Sequence, residues 1–172
     1  MRSTIKVIND MQAIGVIGRY AIGGAVGATY YLEPVATLDI DVFISFGGSS
    51  DGPIISLSPI YNYLRSRGYE AEGEYMVIDG WPVQFLPSGD ALGEEALAQA
   101  IEVDLDGEPA RVMKAEHLVA LALQVGRSKD CARILQFMEA GVLNQAVLDG
   151  ILNRHHLADK WARFKARFLE EL

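Results

Sequence analysis

Residues 38–46 read Leu-Asp-Ile-Asp-Val-Phe-Ile-Ser-Phe, and no other stretch constrains the fold as tightly. Side chains on a strand point alternately to opposite faces, so Leu38, Ile40 and Val42 go to one side and Asp39 and Asp41 to the other. One face belongs to an apolar core; the other is acidic. Two carboxylates two residues apart stand roughly 7 Å apart at the backbone. At an effective dielectric of about 20 their repulsion is on the order of 2 kcal/mol. Solvent offsets that repulsion when the pair is exposed. A divalent cation does so better, because Mg²⁺ takes one or two carboxylates together with substrate phosphates, and two such ions about 3.5–4 Å apart serve in-line phosphoryl transfer. An exposed Asp-x-Asp on a half-solvated strand is the plainer alternative.

The segments around this strand alternate between helix and strand periods. Residues 4–18 place Ile5, Ile8, Met11, Gln12, Gly15 and Val16 near helical spacing, with Thr4 available as N-cap. A short strand is expected at 20–22, then a turn at Gly23-Gly24, then a helix at 25–32 ending before Pro34. A glycine pair at a strand-to-helix turn lets backbone N–H groups approach a phosphate; a tight turn alone would also explain it. Gly23, Gly24 and Gly27 make neither the dinucleotide fingerprint nor a P-loop.

After a loop expected at 47–53, residues 58–67 read as a helix capped by Ser58, with Pro59 next and Gly68 beyond its end. Strands follow at 69–78 and 81–86, turned by Asp79-Gly80. A helix at 93–100 precedes a second hairpin, 101–105 and 110–113, turned by Asp106-Gly107. From Lys114 onward only helices are expected, near 114–125, 128–140, 144–153 and 155–171. The expected fold class is α/β (α+β): a mixed-sheet core over 1–113, with a helical region over 114–172 packed on it.

With 172 residues, half of them hydrophobic, the chain can bury one sizeable core. No run reaches the roughly 18 apolar residues of a membrane span, and the opening Met1-Arg2-Ser3-Thr4 has no signal-peptide pattern. A cytoplasmic setting without membrane contact is expected. A single cysteine, Cys131, excludes an intramolecular disulfide and reads as a buried small hydrophobe. The net charge of −8 opposes generic binding of nucleic acid. It is unevenly spread: residues 1–110 hold 5 Lys/Arg against 16 Asp/Glu, and 111–172 hold 10 against 7. The basic residues are solvated helix faces or, for a few, contacts to an anionic ligand.

Ile22-Gly23-Gly24, a helix, and then Thr37-Leu38-Asp39-Ile40-Asp41-Val42 resemble the polymerase-beta-like nucleotidyltransferases. The downstream segments Glu116-His117-Leu118-Val119-Ala120-Leu121 and Gly126-Arg127-Ser128-Lys129-Asp130 are similar to those of AbiEii-type and related minimal bacterial nucleotidyltransferases. The resemblance spans roughly residues 15–140. It implies that Gly23 and Gly24 hold the phosphates of an incoming NTP and that Asp39 and Asp41 bind Mg²⁺ (or Mn²⁺). It also implies that Arg127 and Lys129 bring positive charge to those phosphates and that Asp130 orients one of them or aids the acceptor. The implied reaction moves a nucleotidyl group to an RNA or protein hydroxyl, in a toxin–antitoxin context with a cognate antitoxin as partner. An ordinary helix start, with Ser128 capping and Asp130 at the positive end of the dipole, is the alternative for 127–130.

Three positions depart from that family pattern. The third carboxylate position, in Pro82-Val83-Gln84-Phe85-Leu86, carries Gln84, whose amide positions a ligand but cannot act as a base. Ala122 stands where the family has Lys, and Arg133 where it has a later Asp. Asp79, Glu74 and Glu70 are the candidates for the missing acid. A catalytically silent nucleotide-binding or protein-binding member, and a structural subunit that self-associates through its helices, therefore remain as rival readings.

Other residues carry less. His155-His156 lack an i, i+4 histidine partner and read as polar residues at a helix start. His117 reads as surface or half-buried. Ser45 and Ser88 lack a nucleophile-elbow setting. Trp81-Pro82 with Tyr30-Tyr31 form a base-stacking platform or, as packing favours, part of the core and hairpin.

Overall fold

A computed structural model of the chain describes residues 1–33, 39–45 and 56–169, which fall into two units, Met1–Met113 and Lys114–Leu172. The first unit is built on one seven-stranded mixed sheet. Its elements in chain order are α1 (Arg2–Ala13), β1 (Tyr20–Ile22), α2 (Gly24–Ala28), β2 (Ile40–Ile44), α3 (Ser58–Ser66), β3 (Glu70–Glu72), β4 (Tyr75–Ile78), β5 (Trp81–Pro87), α4 (Ala91–Gln99), β6 (Ile101–Leu105) and β7 (Glu108–Val112). The spatial order is β3-β4-β5-β2-β1-β7-β6. Strand β2, the one the alternation singled out, lies in the middle, parallel to β5 and antiparallel to β1.

The alternation sorts residues as the period-2 rule requires. Ile40, Val42 and Ile44 are buried, and so are Val83, Phe85, Met76 and Ile78 on the neighbouring strands. Register explains this: Ile40 pairs with Val83, and Val83 with Met76, so all three lie on one face. Burying each such side chain contributes roughly 1.5–3 kcal/mol. Helix α1 adds Ile5, Ile8 and Met11, all fully buried, and α3 adds Ile60 and Leu64.

Local departures from expectation have local causes. Helix α1 starts at Arg2, so Thr4 is not its cap; Thr4 is fully buried and its hydroxyl donates to the Ile78 carbonyl at 3.0 Å. The helix stops at Ala13, and Gly15 (φ 78) and Val16 lie beyond it. Helix α2 has only five residues. Ser58 is the first residue of α3 behind an N-cap at Leu57. The expected single strand at 69–78 is two strands, because Gly73 (φ 62) turns the chain between β3 and β4. Both Asp-Gly turns form, with positive φ at Asp79, Gly80, Asp106 and Gly107. The loop expected at 47–53, and Leu38 and Phe46 at the ends of the expected central strand, lie outside the described residues.

The second unit contains α5 (Ala115–Val125), α6 (Ser128–Glu139), α7 (Gln145–Arg154) and α8 (Ala158–Phe168). Gly126, in the left-handed conformation at φ 75, ends α5. Glu116 accepts from the Asn144 backbone N–H at 2.8 Å and so ties the start of α7 to α5. His155 and His156 close α7 and do not open α8: His155 is its C-cap and His156 has φ 56. His117 is fully buried, not half exposed, and Cys131 is partly exposed, not buried. Residues 170–172, including the expected end of the last helix, are outside the described set. Among the described residues no helix is long and apolar enough to cross a membrane.

Candidate active site

Gly23 and Gly24 form the junction between β1 and α2, beside β2. The Gly23 N–H donates to the Asp41 carbonyl at 2.9 Å, which draws the glycine turn against the acidic strand. Neither glycine has room for a side chain. A Cβ at Gly23 would lie 2.6 Å from a carbon of the Phe43 ring, and one at Gly24 would lie 2.7 Å from Asp41 Cγ and nearer still to Oδ2. Gly24 also has φ +57, the left-handed region that an L side chain rarely adopts. The glycine pair thus does two things at once: it turns the chain and it exposes backbone to the Asp41 carboxylate.

Asp39 and Asp41 are half-buried, while Ile40 between them is fully buried. Asp41 pairs with Gln84 in the parallel β2–β5 register. Register neighbours share a face, so the amide of Gln84 stands beside Asp41. One residue beyond the Met76–Val83 pair of β4 and β5, Tyr75 continues this row on the other side of Gln84. Partial burial, with the negative charges of Asp39, Glu74 and Asp41, pushes the Tyr75 hydroxyl above its ordinary value, and Glu74 shares a hydrogen bond with it. Tyr75 is hidden in the sequence because it falls inside what reads as one long strand, and the Gly73-Glu74 turn is the signal that separates it.

The three candidate replacement acids separate in this arrangement. Glu70 is exposed on β3, the first strand in the sheet order. Asp79 sits in the β4–β5 turn and acts on Tyr69. Glu74 alone meets a group, Tyr75, that also feels Asp39 and Asp41. Among the described residues no three His, Cys, Asp or Glu side chains gather as a metal-holding group. The donor set on this face is two carboxylates and one amide, which fits a single Mg²⁺ completed by phosphates and water.

Residues 127–130 form a helix start. Arg127 is the N-cap of α6 and Ser128 its first residue, so Ser128 is not the cap. Asp130 accepts from the Arg127 backbone N–H at 3.1 Å and from its guanidinium at 2.8 and 3.3 Å. Burial alone would raise the Asp130 carboxyl, but these hydrogen bonds outweigh it and hold the group below the usual carboxylate range. Lys129 is exposed. Elsewhere, the Tyr30 and Tyr31 rings meet edge to face at 5.0 Å, not as a parallel platform, and the Tyr31 hydroxyl donates to the Met113 carbonyl. A groove of about 210 Å³ between α7 and α8, lined by Asp149, Asn153, Trp161 and Lys165 among others, contains none of these residues.

The sequence matches no protein family, and no curated protein matches it. A solved structure does: an antigenic nucleotidyltransferase-like protein from Paracoccidioides brasiliensis is similar at TM-score 0.54 and 14% identity, over 96% of this chain and 92% of that one. The fold is that of the nucleotidyltransferases. Two further solved structures score lower. One, from Thermotoga maritima, is a candidate nucleotidyltransferase (14% identity, 78% of this chain and 93% of that one, TM-score 0.43). The other is ANT(2″)-Ia in complex with adenylyl-2″-tobramycin (14% identity, 95% and 98%, TM-score 0.49). The nucleotidyltransferase fold accounts for the mixed sheet and rests on the first of these.

Proposed function

We propose that this chain binds a nucleoside triphosphate with Mg²⁺ (or Mn²⁺) at the Gly23-Gly24 turn and the Asp39/Asp41 pair, and transfers its nucleotidyl group to a hydroxyl of RNA or protein. The observation that carries this reading is the close approach of Gly24 to the Asp41 carboxylate, which leaves backbone and carboxylate on one surface. Asp39 and Asp41 would hold the ion, which when bound neutralises charge on the phosphates. In the transfer the acceptor oxygen bonds to the α-phosphorus, the α–β phosphoanhydride bond breaks, and pyrophosphate leaves with its electron pair. The hydroxyl proton goes to a carboxylate that does not hold the ion, since Gln84 cannot take it; Glu74, hydrogen-bonded to Tyr75, is the candidate. The similarity of residues 116–121 and 126–130 to AbiEii-type enzymes supports a toxin–antitoxin role in the cytoplasm, with a cognate antitoxin as partner.

A second reading, nucleotide binding without transfer, is favoured by Gln84 beside Asp41. One assay separates the two: incubate the protein with radiolabelled NTPs, Mg²⁺ or Mn²⁺, and cellular RNA or protein, beside an Asp39→Ala/Asp41→Ala variant. Label transfer that the double substitution abolishes is the expected outcome. Nucleotide bound without transfer supports the silent member, and neither binding nor transfer rejects both readings.

A further inference from the structure

We infer that the acidic face holds one divalent cation, not two, and that Gln84 sets this number. The inference rests on the proposed nucleotide site. Two ions at the spacing used for phosphoryl transfer repel each other strongly and persist only where several carboxylates bridge and flank them. Here the row that crosses the sheet through Asp41 offers little negative charge. On the β1 side its neighbour is the glycine turn, which has no side chain. On the β5 side it is Gln84; beyond Gln84 comes the phenol of Tyr75, and the next carboxylate in the row, Glu72, is three strands, roughly 14 Å, from Asp41. An amide oxygen can complete the shell of an ion already held, but it adds no charge to hold another.

Asp41 is also hemmed in. Its Cγ lies 2.7 Å from where a Gly24 Cβ would be, and Oδ2 points into that same space. One side of the carboxylate therefore faces the Gly24 backbone, which crowds the approach of a second ion from that side. Asp39, two residues along the strand on the same face, completes one ion's anionic pair with Asp41. A carboxylate in place of Gln84 would stand next to Asp41 in register and provide the missing charge.

Equilibrium dialysis with Mn²⁺ and the non-hydrolysable α,β-methylene ATP, read by Mn²⁺ paramagnetic resonance, counts ions per bound nucleotide without any turnover. The wild type should bind one Mn²⁺ per nucleotide and Gln84→Asp two, a doubling; Gln84→Glu is a second route to the same result should Gln84→Asp fold poorly. Asp39→Asn/Asp41→Asn sets the background. Two ions in the wild type overturn this inference and leave the nucleotide site standing. One ion in the wild type and in both Gln84 variants also overturns it, because Gln84 then does not set the number. No nucleotide or ion above background overturns the proposed site itself, and this inference with it.

Discussion

The Asp41 carboxylate occupies the space that a side chain on Gly24 would need. Any substitution at residue 24 must therefore move Asp41 as well as hold φ near +57. Gly24→Ala is expected to cost roughly 1–2 kcal/mol for the left-handed backbone, with displacement of Asp41 added. That lowers the melting temperature by about 4 °C for each kcal/mol in a unit of this size. Calorimetry beside a nucleotide-binding titration checks it: a variant that melts and binds like the wild type would show that the close approach is not needed.

Magnesium should stabilise the folded chain through the acidic pair. A ligand that binds only the native state raises stability by ~3 kcal/mol at a hundredfold excess over its dissociation constant. Thermal melts with and without 10-fold steps of MgCl₂, at constant ionic strength, should rise for the wild type and stay flat for Asp39→Asn/Asp41→Asn. Equal rises in both proteins would assign the effect to other acidic groups.

Asp130 should matter for stability at neutral pH and not in acid. Its folded-state pKa lies below its unfolded value, so its contribution is complete above the ordinary carboxylate pKa of about 4. It is lost as pH falls through the depressed folded value. Replacing it with alanine removes the bonds to Arg127 and should cost about 1–2 kcal/mol at pH 7. Urea unfolding at pH 7 and pH 3 should show that gap narrowing in acid; a constant gap rejects the assignment.

Tyr20 makes the opposite prediction at high pH. It is 1% exposed, its hydroxyl donates to Asn9 Oδ1 at 2.7 Å, and burial pushes its pKa up to about 12. The native state keeps the proton that the unfolded chain gives up near 10, so stability is full below pH 10 and falls as pH rises toward 12. The loss is about 1 kcal/mol by pH 11. Tyr20→Phe should be less stable at pH 8 and should flatten that slope. Denaturant midpoints at pH 8 and pH 11 decide it.

Where sequence and structure agree, the local chemistry left few options. The 38–46 alternation orients Ile40 and Val42 inward and Asp41 outward because the strand period is fixed. The Asp79-Gly80 and Asp106-Gly107 pairs turn because both residues of each adopt positive φ. The disagreements arise where two segments compete for one signal. Residues 70–72 of β3 are all exposed, so no apolar pattern marked them as a separate strand, and Tyr75 was lost with the boundary. Thr4 has the side chain of a cap, but its hydroxyl goes to Ile78, 74 residues away, a pairing that only the folded sheet supplies. For the candidate site, chain order alone singles out the glycine pair, Asp39, Asp41 and Gln84 as residues to examine; that Gly23 and Gln84 flank Asp41 on either side is a matter of register.

The beginning and end of the first unit are fastened to each other. Arg2 reaches Glu108 at 3.1 Å, Asn9 reaches the Pro109 carbonyl at 2.8 Å, and Ile22 of β1 pairs with Val112 of β7. On a ribosome, β1 and α1 would emerge early and wait for a partner strand still some ninety residues from being translated. Until β7 leaves the exit tunnel, β1 keeps an open edge next to the acidic strand, so this side of the sheet closes only once both ends of the unit are present.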